Sequence, residues 1–549
     1  MSPLVRRERL RDILLALAPL AILLAIPFEG IQWGDGLEFA AVASSLGVAH
    51  PPGYPLFTLI SWLFLQLPLP EPYAALVLMC RLIAWGTGVL LFFLCRQLLQ
   101  RAGHEPFHPV AVPALTAALF VFSPLIRDSL HAVEVYTLNA LLMTACAGAL
   151  LTSRESTSMA FLGGAALGLA MANHLPALSL APCAVLVLWS APTARQAAFA
   201  VPAILLPVCL YGSLLLRVPS ADGYGIGWGG TDTFSALVDH VRGGEYARFQ
   251  FLSLRPGVPL TAEHFASFVL GRQLLLLQSL GSLLPLPNAI WPFSTLVVGV
   301  LLVIGFRRLW AIDRHWTIGL LVAMGLQAGF IALYNIPDIH DYFIGIWILA
   351  VPALALGAIA LLRSANHAAL LLLLLTAIAV AVALIGWRAS ASLPTIYRER
   401  LLQSLPEGAA VITSGDADIY TLWYEQHARA NRRDLVVVGA NFARFPWFRT
   451  TIPAGDPRRD ALQFFPGDPP LGAEAFMSQV AAGQVEPLLS YGPVYWSAAQ
   501  PVEIQLLEIK FKVTPVARLL SDEELELILS DGLVNFPPPI LFQIEPRNP

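Results

Sequence analysis

Residues 341–362 read DYFIGIWILAVPALALGAIALL, and after a four-residue break that begins with Arg363, residues 367–387 read HAALLLLLLTAIAVAVALIGW. At a rise of about 1.5 Å per residue, each run is long enough to cross a hydrocarbon layer about 30 Å thick as a helix. Neither has the charged face of a helix resting on a soluble core. Apolar runs recur at 74–97, 109–127, 135–152, 158–173, 175–191, 198–216, 292–310 and 316–334. A further run, ending at Phe28, follows Arg6, Arg7, Arg9 and Arg11. Composition agrees, with 56% of the 549 residues hydrophobic and 13% charged, against about 25% charged in a soluble chain. The pattern specifies an α-helical polytopic membrane protein with about eleven transmembrane helices.

No small-x-small cleavage site precedes Glu29, so the first run is expected to be a retained helix with its N-terminus in the cytoplasm. Alternation from there puts the connections 98–108, 153–157, 192–197, 311–315 and 363–366 inside. Each carries or adjoins an Arg, as the positive-inside rule requires. The same alternation puts loops 29–73 and 217–265 outside, together with the C-terminal region. A span at 266–287 would break the charge pattern, so that segment is expected to lie in the interface. Beyond Trp387 charge rises and apolar runs shorten. Strands at Ala409–Thr413, Leu435–Val438 and near Val502–Val513, with a helix at Asp418–Arg429, predict a small α/β domain. The expected division is a transmembrane catalytic domain, 1–387, and an extracytoplasmic domain, 388–549.

Several functions are disfavoured. A net charge of −4 gives no basic field for nucleic acid. The five cysteines lie in apolar stretches without CxxC spacing and read as small buried hydrophobes. There is no Walker loop, HExxH motif or GxSxG elbow, which removes support for a nucleotide hydrolase or a zinc protease. The glycines of 223–230 follow no strand and open no helix, so they read as a flexible loop or an acceptor-contacting surface.

The chemistry gathers in the first outer loop: Gly34-Asp35-Gly36-Leu37-Glu38-Phe39, then Gly47-Val48-Ala49-His50-Pro51-Pro52-Gly53-Tyr54-Pro55. Asp35 and Glu38 share a helix face. The bland alternative is a capped amphipathic helix, with Asp35 as the N-cap. Two prolines and a glycine stiffen the turn that holds His50. His131, Glu134, His174, Arg217, Arg242, Glu245, Asp338 and Asp341 are expected on the same membrane face. Ionisable groups collected this way mark function in a membrane protein.

This loop, with Glu134-Val135-Tyr136, Asn173-His174, Leu216-Arg217, Glu245-Tyr246, Tyr334-Asn335-Ile336-Pro337-Asp338 and Gly415-Asp416 leading to Trp423-Tyr424, resembles one branch of the GT-C glycosyltransferases. That branch contains the plexin-type transmembrane protein O-mannosyltransferases and bacterial relatives. The resemblance implies a hexosyltransferase of a bacterial inner membrane. It would move a hexose such as mannose from a polyprenyl-phosphate lipid to an extracytoplasmic acceptor, protein Ser/Thr, with inversion. Asp35 is the first choice of general base and Glu38 the second. His50, Arg127, His131, Glu134, Tyr136, His174, Arg217, Arg242, Tyr246 and Asp338 are expected to bind substrate or phosphate, Arg217 foremost because guanidinium forks onto phosphate oxygens. No cofactor is required by the pattern and no metal ligands are assigned. A divalent metal stays open, since Asp35, Glu38 and His50 are acceptable ligands but few in number. Two alternatives remain: transfer to a glycan or lipid, and a non-enzymatic lipid or sugar transporter. A transporter should carry midplane charges and paired repeats, whereas these acids follow the spans and no repeat is evident.

Overall fold

The computed structural model describes residues 14–15, 17–103, 108–190, 194–217, 225–249, 262–286, 288–334, 336, 339–362, 365–384, 392–413, 415–439, 442, 445–452, 455–461, 490, 493–498, 511–530 and 540–546. The chain forms two compact units. One comprises Met1–Pro27, Val77–Leu210 and Tyr246–Trp387; the other comprises Phe28–Leu76, Tyr211–Glu245 and Arg388–Pro549.

The first unit is a helix bundle. Among the described residues, six helices are long and apolar enough to span a membrane: Pro72–Arg101, Arg195–Leu216, Trp291–Ile312, Arg314–Leu333, Ile339–Leu362 and His367–Leu384. A seventh is the bent pair Val110–Val121 and Pro124–Leu130. The expected runs at 135–152 and 158–173 are helical, but as 17-residue helices, Tyr136–Thr152 and Thr157–Asn173. The run at 175–191 begins as a 3-10 turn before becoming helix Ala181–Trp189. Among the described residues, length and composition therefore give six or seven candidate spans. The segment expected in the interface is a helix, Ala262–Gly281.

The helix starting at Phe343, from the quoted stretch, is buried continuously from Phe343 to Ile359. It is apolar all round because it is surrounded. Small residues set how closely neighbours approach. A Cβ on Gly305 would overlap the Ala353 carbonyl, and one on Gly357 the Leu301 carbonyl, so helices Trp291–Ile312 and Phe343–Leu362 touch backbone to backbone. Gly164 and Gly168 do the same against Ala200 and Ile204. Such contacts replace the hydrophobic drive that lipid does not supply. Four cysteines, Cys80, Cys95, Cys146 and Cys183, are buried and free as expected, while Cys209 is exposed.

The second unit holds a five-stranded sheet: β1 (Ala410–Thr413), β2 (Val436–Gly439), β3 (Val494–Ala498), β4 (Phe511–Arg518) and β5 (Ile540–Pro546). Their spatial order is β2-β1-β3-β5-β4. β1 runs parallel to β2 and β3, and β5 antiparallel to β3 and β4. Helix Asp416–Trp423 follows β1 and continues into a π turn, Tyr424–Ala428. Trp423 and Tyr424 are buried core residues. This helix and turn pack against helix Asp35–Ser45 of the first outer loop. The loop and the α/β domain are thus one folded body.

Two glycines shape that body. Gly34 caps the first helix at φ 112° and Gly53 ends the His-Pro-Pro turn at φ 96°. A Cβ on Gly53 would also lie 2.7 Å from Leu214 Cδ1, whereas one on Gly34 meets nothing within 4 Å. Gly53→Ala is therefore expected to cost more than Gly34→Ala, by about 1–3 kcal/mol of added clash and strain. Thermal unfolding of the two detergent-solubilised variants checks this; equal losses would show that Leu214 yields freely.

Candidate active site

Helix Asp35–Ser45 begins one residue earlier than an Asp35 cap requires. Gly34 is the N-cap, no side chain caps the helix, and Asp35 is its first helical residue. The capped-helix alternative for Asp35 fails for this reason. Its carboxylate is left for other work, with its side chain 34% exposed. Glu38 lies one turn further on and is fully buried. Both acids sit at the helix N-terminus, where the backbone dipole favours negative charge.

Glu38 is committed to His50. Its Oε1 accepts the His50 backbone N–H at 2.8 Å, and its Oε2 lies 2.5 Å from His50 Nδ1. With Glu38 ionised, Nδ1 carries the proton and the ring is fixed in one orientation. The other nitrogen, Nε2, faces Asp35 Oδ2 at 3.6 Å. The imidazole is walled by Phe39, Tyr54 and Trp228 at centroid distances of 5.5, 5.0 and 6.0 Å. Asp35, Glu38 and His50 each offer one ligand atom within 4.8 Å of the others, so this buried cluster can hold a divalent cation. Two carboxylates and an imidazole suit a borderline metal such as Mn²⁺ better than an all-oxygen Ca²⁺ site.

The turn carrying His50 is held from several sides. Val48 pairs with the glycine-rich segment: its N–H donates to Ile226 O at 2.8 Å and its carbonyl accepts from Trp228 N at 3.3 Å. The described part of that segment, 225–230, thus supports the turn through a single bridge at Gly227, followed by a 3-10 turn at Trp228–Gly230. His240 Nε2 lies 3.0 Å from Ala49 O. Arg217 donates to Gly47 O at 3.2 Å and Pro55 O at 3.5 Å, bracketing the turn at both ends. Glu245 accepts from the indoles of Trp228 and Trp447, at 2.7 and 3.0 Å, and so fixes the wall beside His50. Sequence reading pointed to Arg217 for phosphate; two of its donors are engaged by the loop itself.

A residue that sequence reading left aside also joins this centre. Asp418 does the structural work at its helix N-terminus, accepting from Gly415 N at 3.0 Å, Ile419 N at 3.2 Å and Ser497 Oγ. Asp416 does none of it and is exposed. It faces the acids of the first loop: crowding by protein, then the charges of Asp35, Glu38 and Asp418, push its carboxyl up to about 7, against a smaller lowering by His50. Asp35 is also raised, first by burial and secondarily by Glu38, with His50 opposing. In the sequence it stood within the Gly415-Asp416 stretch that shares the family resemblance, without a role assigned to it.

A carboxyl raised on folding binds its proton more tightly in the native state, so stability is lost as pH rises from the unfolded value toward about 7. Asp416→Asn should therefore raise the melting temperature at pH 8 and change it little at pH 5, while slowing turnover. Melting curves at the two pH values with parallel activity assays check this. A variant destabilised at pH 8 would place Asp416 in a structural role.

The remaining residues expected to bind substrate fall elsewhere. Arg242 is exposed and paired with Asp239 at 2.5 Å. Tyr246 lies in a short turn at Gly244–Phe249. In the helix bundle, Arg127 lies 3.7 Å from Asp128, and His131 is buried at the end of the same bent segment. The Glu134 carbonyl accepts from Cys80 and Thr137. Tyr136 and His174 are brought together at 5.3 Å, and both meet Tyr342. Asp338 lies outside the described residues.

A family model described as the protein O-mannosyl-transferase TMEM260 N-terminal domain matches residues 35–197, and one described as TMEM260-associated domain 2 matches residues 397–453. Protein O-mannosyl-transferase TMEM260 of Mus musculus is 32% identical over 153 residues, which is 27% of this chain and 21% of the mouse protein. The aligned part thus spans about a fifth of that relative. Among solved structures, ArnT from Cupriavidus metallidurans bound to undecaprenyl phosphate is 13% identical, with 92% of this chain and 96% of that one covered at a TM-score of 0.49. The oligosaccharyltransferase of Archaeoglobus fulgidus is 14% identical, with 89% and 68% covered at 0.49. The similarity to TMEM260 domains thus covers two stretches of this membrane protein, 35–197 and 397–453.

Proposed function

We propose that the chain transfers a hexose, such as mannose, from a polyprenyl-phosphate donor to an extracytoplasmic acceptor hydroxyl on protein Ser/Thr. The observation that carries this reading is Asp35: a raised carboxylate, unused in capping, beside an imidazole that Glu38 holds in place. The acceptor hydroxyl gives its proton to Asp35 as its oxygen forms a bond to the anomeric carbon. The bond from that carbon to the lipid phosphate oxygen breaks, and the polyprenyl phosphate leaves with the electron pair. One such displacement inverts the anomeric centre. A base raised toward the working pH suits this task. The resemblance of both the 35–197 and 397–453 regions to O-mannosyltransferase families supports the substrate class.

The leaving phosphate needs cations or donors. The unengaged N–H groups of Arg217 supply some. A divalent cation, when bound by Asp35, Glu38 and His50, would supply charge neutralisation for that phosphate. Eleven crossings, a cytoplasmic N-terminus and an outer C-terminal domain, in a bacterial inner membrane, belong to the same reading. Among the helices this would require the shorter ones, such as Tyr136–Thr152, to cross a locally thinned bilayer.

The test is transfer by the full chain in nanodiscs, from radiolabelled polyprenyl-phosphate mannose to a Ser/Thr peptide. Labelled peptide is expected. Label appearing only on added glycan or lipid would move the acceptor class, and lipid crossing a proteoliposome without transfer would make the protein a transporter.

A further inference from the structure

The helix bundle has a recess at the ends of four of its helices: the start of Tyr136–Thr152, the end of Thr157–Asn173, the last turns of Arg314–Leu333 and the start of Phe343–Leu362. Tyr136, His174, Phe330 and Tyr342 form its aromatic walls, and Asn139 and Gln327 reach it with amides. His174 and Tyr136 pack edge to face or nearly so on Tyr342, at 5.0 and 5.5 Å, and Phe330 stacks on it at 6.0 Å. Among the described residues, no Asp, Glu, Lys or Arg lines it.

Its polar groups are unbalanced. Asn139 is 4% exposed, its Nδ2 is spent on Met143 Sδ at 3.3 Å, and its Oδ1 has no hydrogen-bond partner. Asn173, beside His174, donates its Nδ2 to Val135 O at 3.1 Å, which fixes which way the amide points, and its buried Oδ1 is also unmet. Gln327 Nε2 is taken by Ser179 Oγ at 2.7 Å. Each asparagine spends an N–H within the bundle and leaves its carbonyl oxygen unmet, that of Asn139 in the lining of the recess and that of Asn173 beside His174. Buried acceptors left unmet are costly. A phosphate brings only acceptors and would not meet this need; a hydroxyl donates and does. Aromatic walls with a few convergent polar groups are the usual make-up of a small-ligand site.

We propose that this recess binds a hydroxyl of the sugar carried by the donor lipid, with Asn139 as the specificity-determining residue. This rests on the function proposed above. It moves Tyr136 and His174 from the phosphate to the sugar, and makes the bundle the part that distinguishes a charged donor from the spent lipid. A pocket built to bond a hydroxyl discriminates strongly against a ligand lacking it.

The experiment measures equilibrium binding of polyprenyl-phosphate mannose and of bare polyprenyl phosphate to the full chain in nanodiscs. Wild type should prefer the sugar-bearing lipid, and Asn139→Leu, nearly isosteric, should lose about tenfold in affinity for it with bare-lipid affinity unchanged. Should that variant not insert, Asn139→Gln, which keeps the amide and fills the recess, should give the same selective loss. An undiminished preference in the variants overturns the assignment and leaves the recess holding water. Binding of neither lipid to wild type would instead sink the proposed function, and this inference with it.

Discussion

Asp35→Asn is expected to reduce sugar transfer by about 10²–10⁴-fold, with membrane insertion and melting temperature preserved. The amide keeps the size of the side chain but cannot take the acceptor proton. Stability should hold because Asp35 caps nothing and because burial raises its carboxyl, so that removing the charge relieves the native state. The measurements are initial rates from polyprenyl-phosphate mannose and a melting curve of the purified variant. A variant within about threefold of wild type, well short of the loss general-base catalysis implies, would reject Asp35 as the base. Direct binding of the sugar lipid should survive, since the recess around Asn139 contains no part of Asp35.

Much of this arrangement was legible in the sequence, for identifiable reasons. Apolar length announces a spanning helix whatever its neighbours, so the run quoted from Phe343 onward could be read alone. The strands at 410–413 and 436–439 were also readable, because short β-branched runs bounded by Gly and Asn have few other uses. The stiff Pro51-Pro52-Gly53 turn signalled that His50 is held. The partner that holds it was not readable, since Glu38 and Asp35 look equivalent as an i, i+3 pair and only burial separates them. The extra helical position gained by Gly34 at positive φ decided that Asp35 is no cap. Asp416 was hidden for another reason. It meets the first loop across more than 370 residues of chain, and no local pattern reports a contact of that separation. The number of spans is the least legible feature, because hydropathy does not tell a 17-residue helix buried among others from one that crosses lipid.

Glu38→Gln should test the ranking of the two acids, Asp35 first and Glu38 second. The Gln oxygen can still accept the His50 backbone N–H, but an amide N–H then faces Nδ1, where the carboxylate oxygen lies 2.5 Å away. To avoid two opposed donors the imidazole must give up its Nδ1 proton and carry it on Nε2, pointing at Asp35. A donor aimed at Asp35 stabilises its charge, and loss of the Glu38 charge, which raises Asp35, acts in the same direction. Both lower the Asp35 pKa. The acid limb of kcat/KM should therefore move to lower pH, while the plateau falls by about 10–100-fold because a weaker base accepts the proton less readily. A charge-assisted hydrogen bond in a buried site is also lost, which should destabilise the fold by about 1–3 kcal/mol. Asp35→Asn and Glu38→Gln thus differ in kind: the first removes activity and spares stability, the second reduces both and shifts the pH profile. If Glu38→Gln instead abolished transfer without a change in melting temperature or in the position of the acid limb, Glu38 would be the base and Asp35 its neighbour.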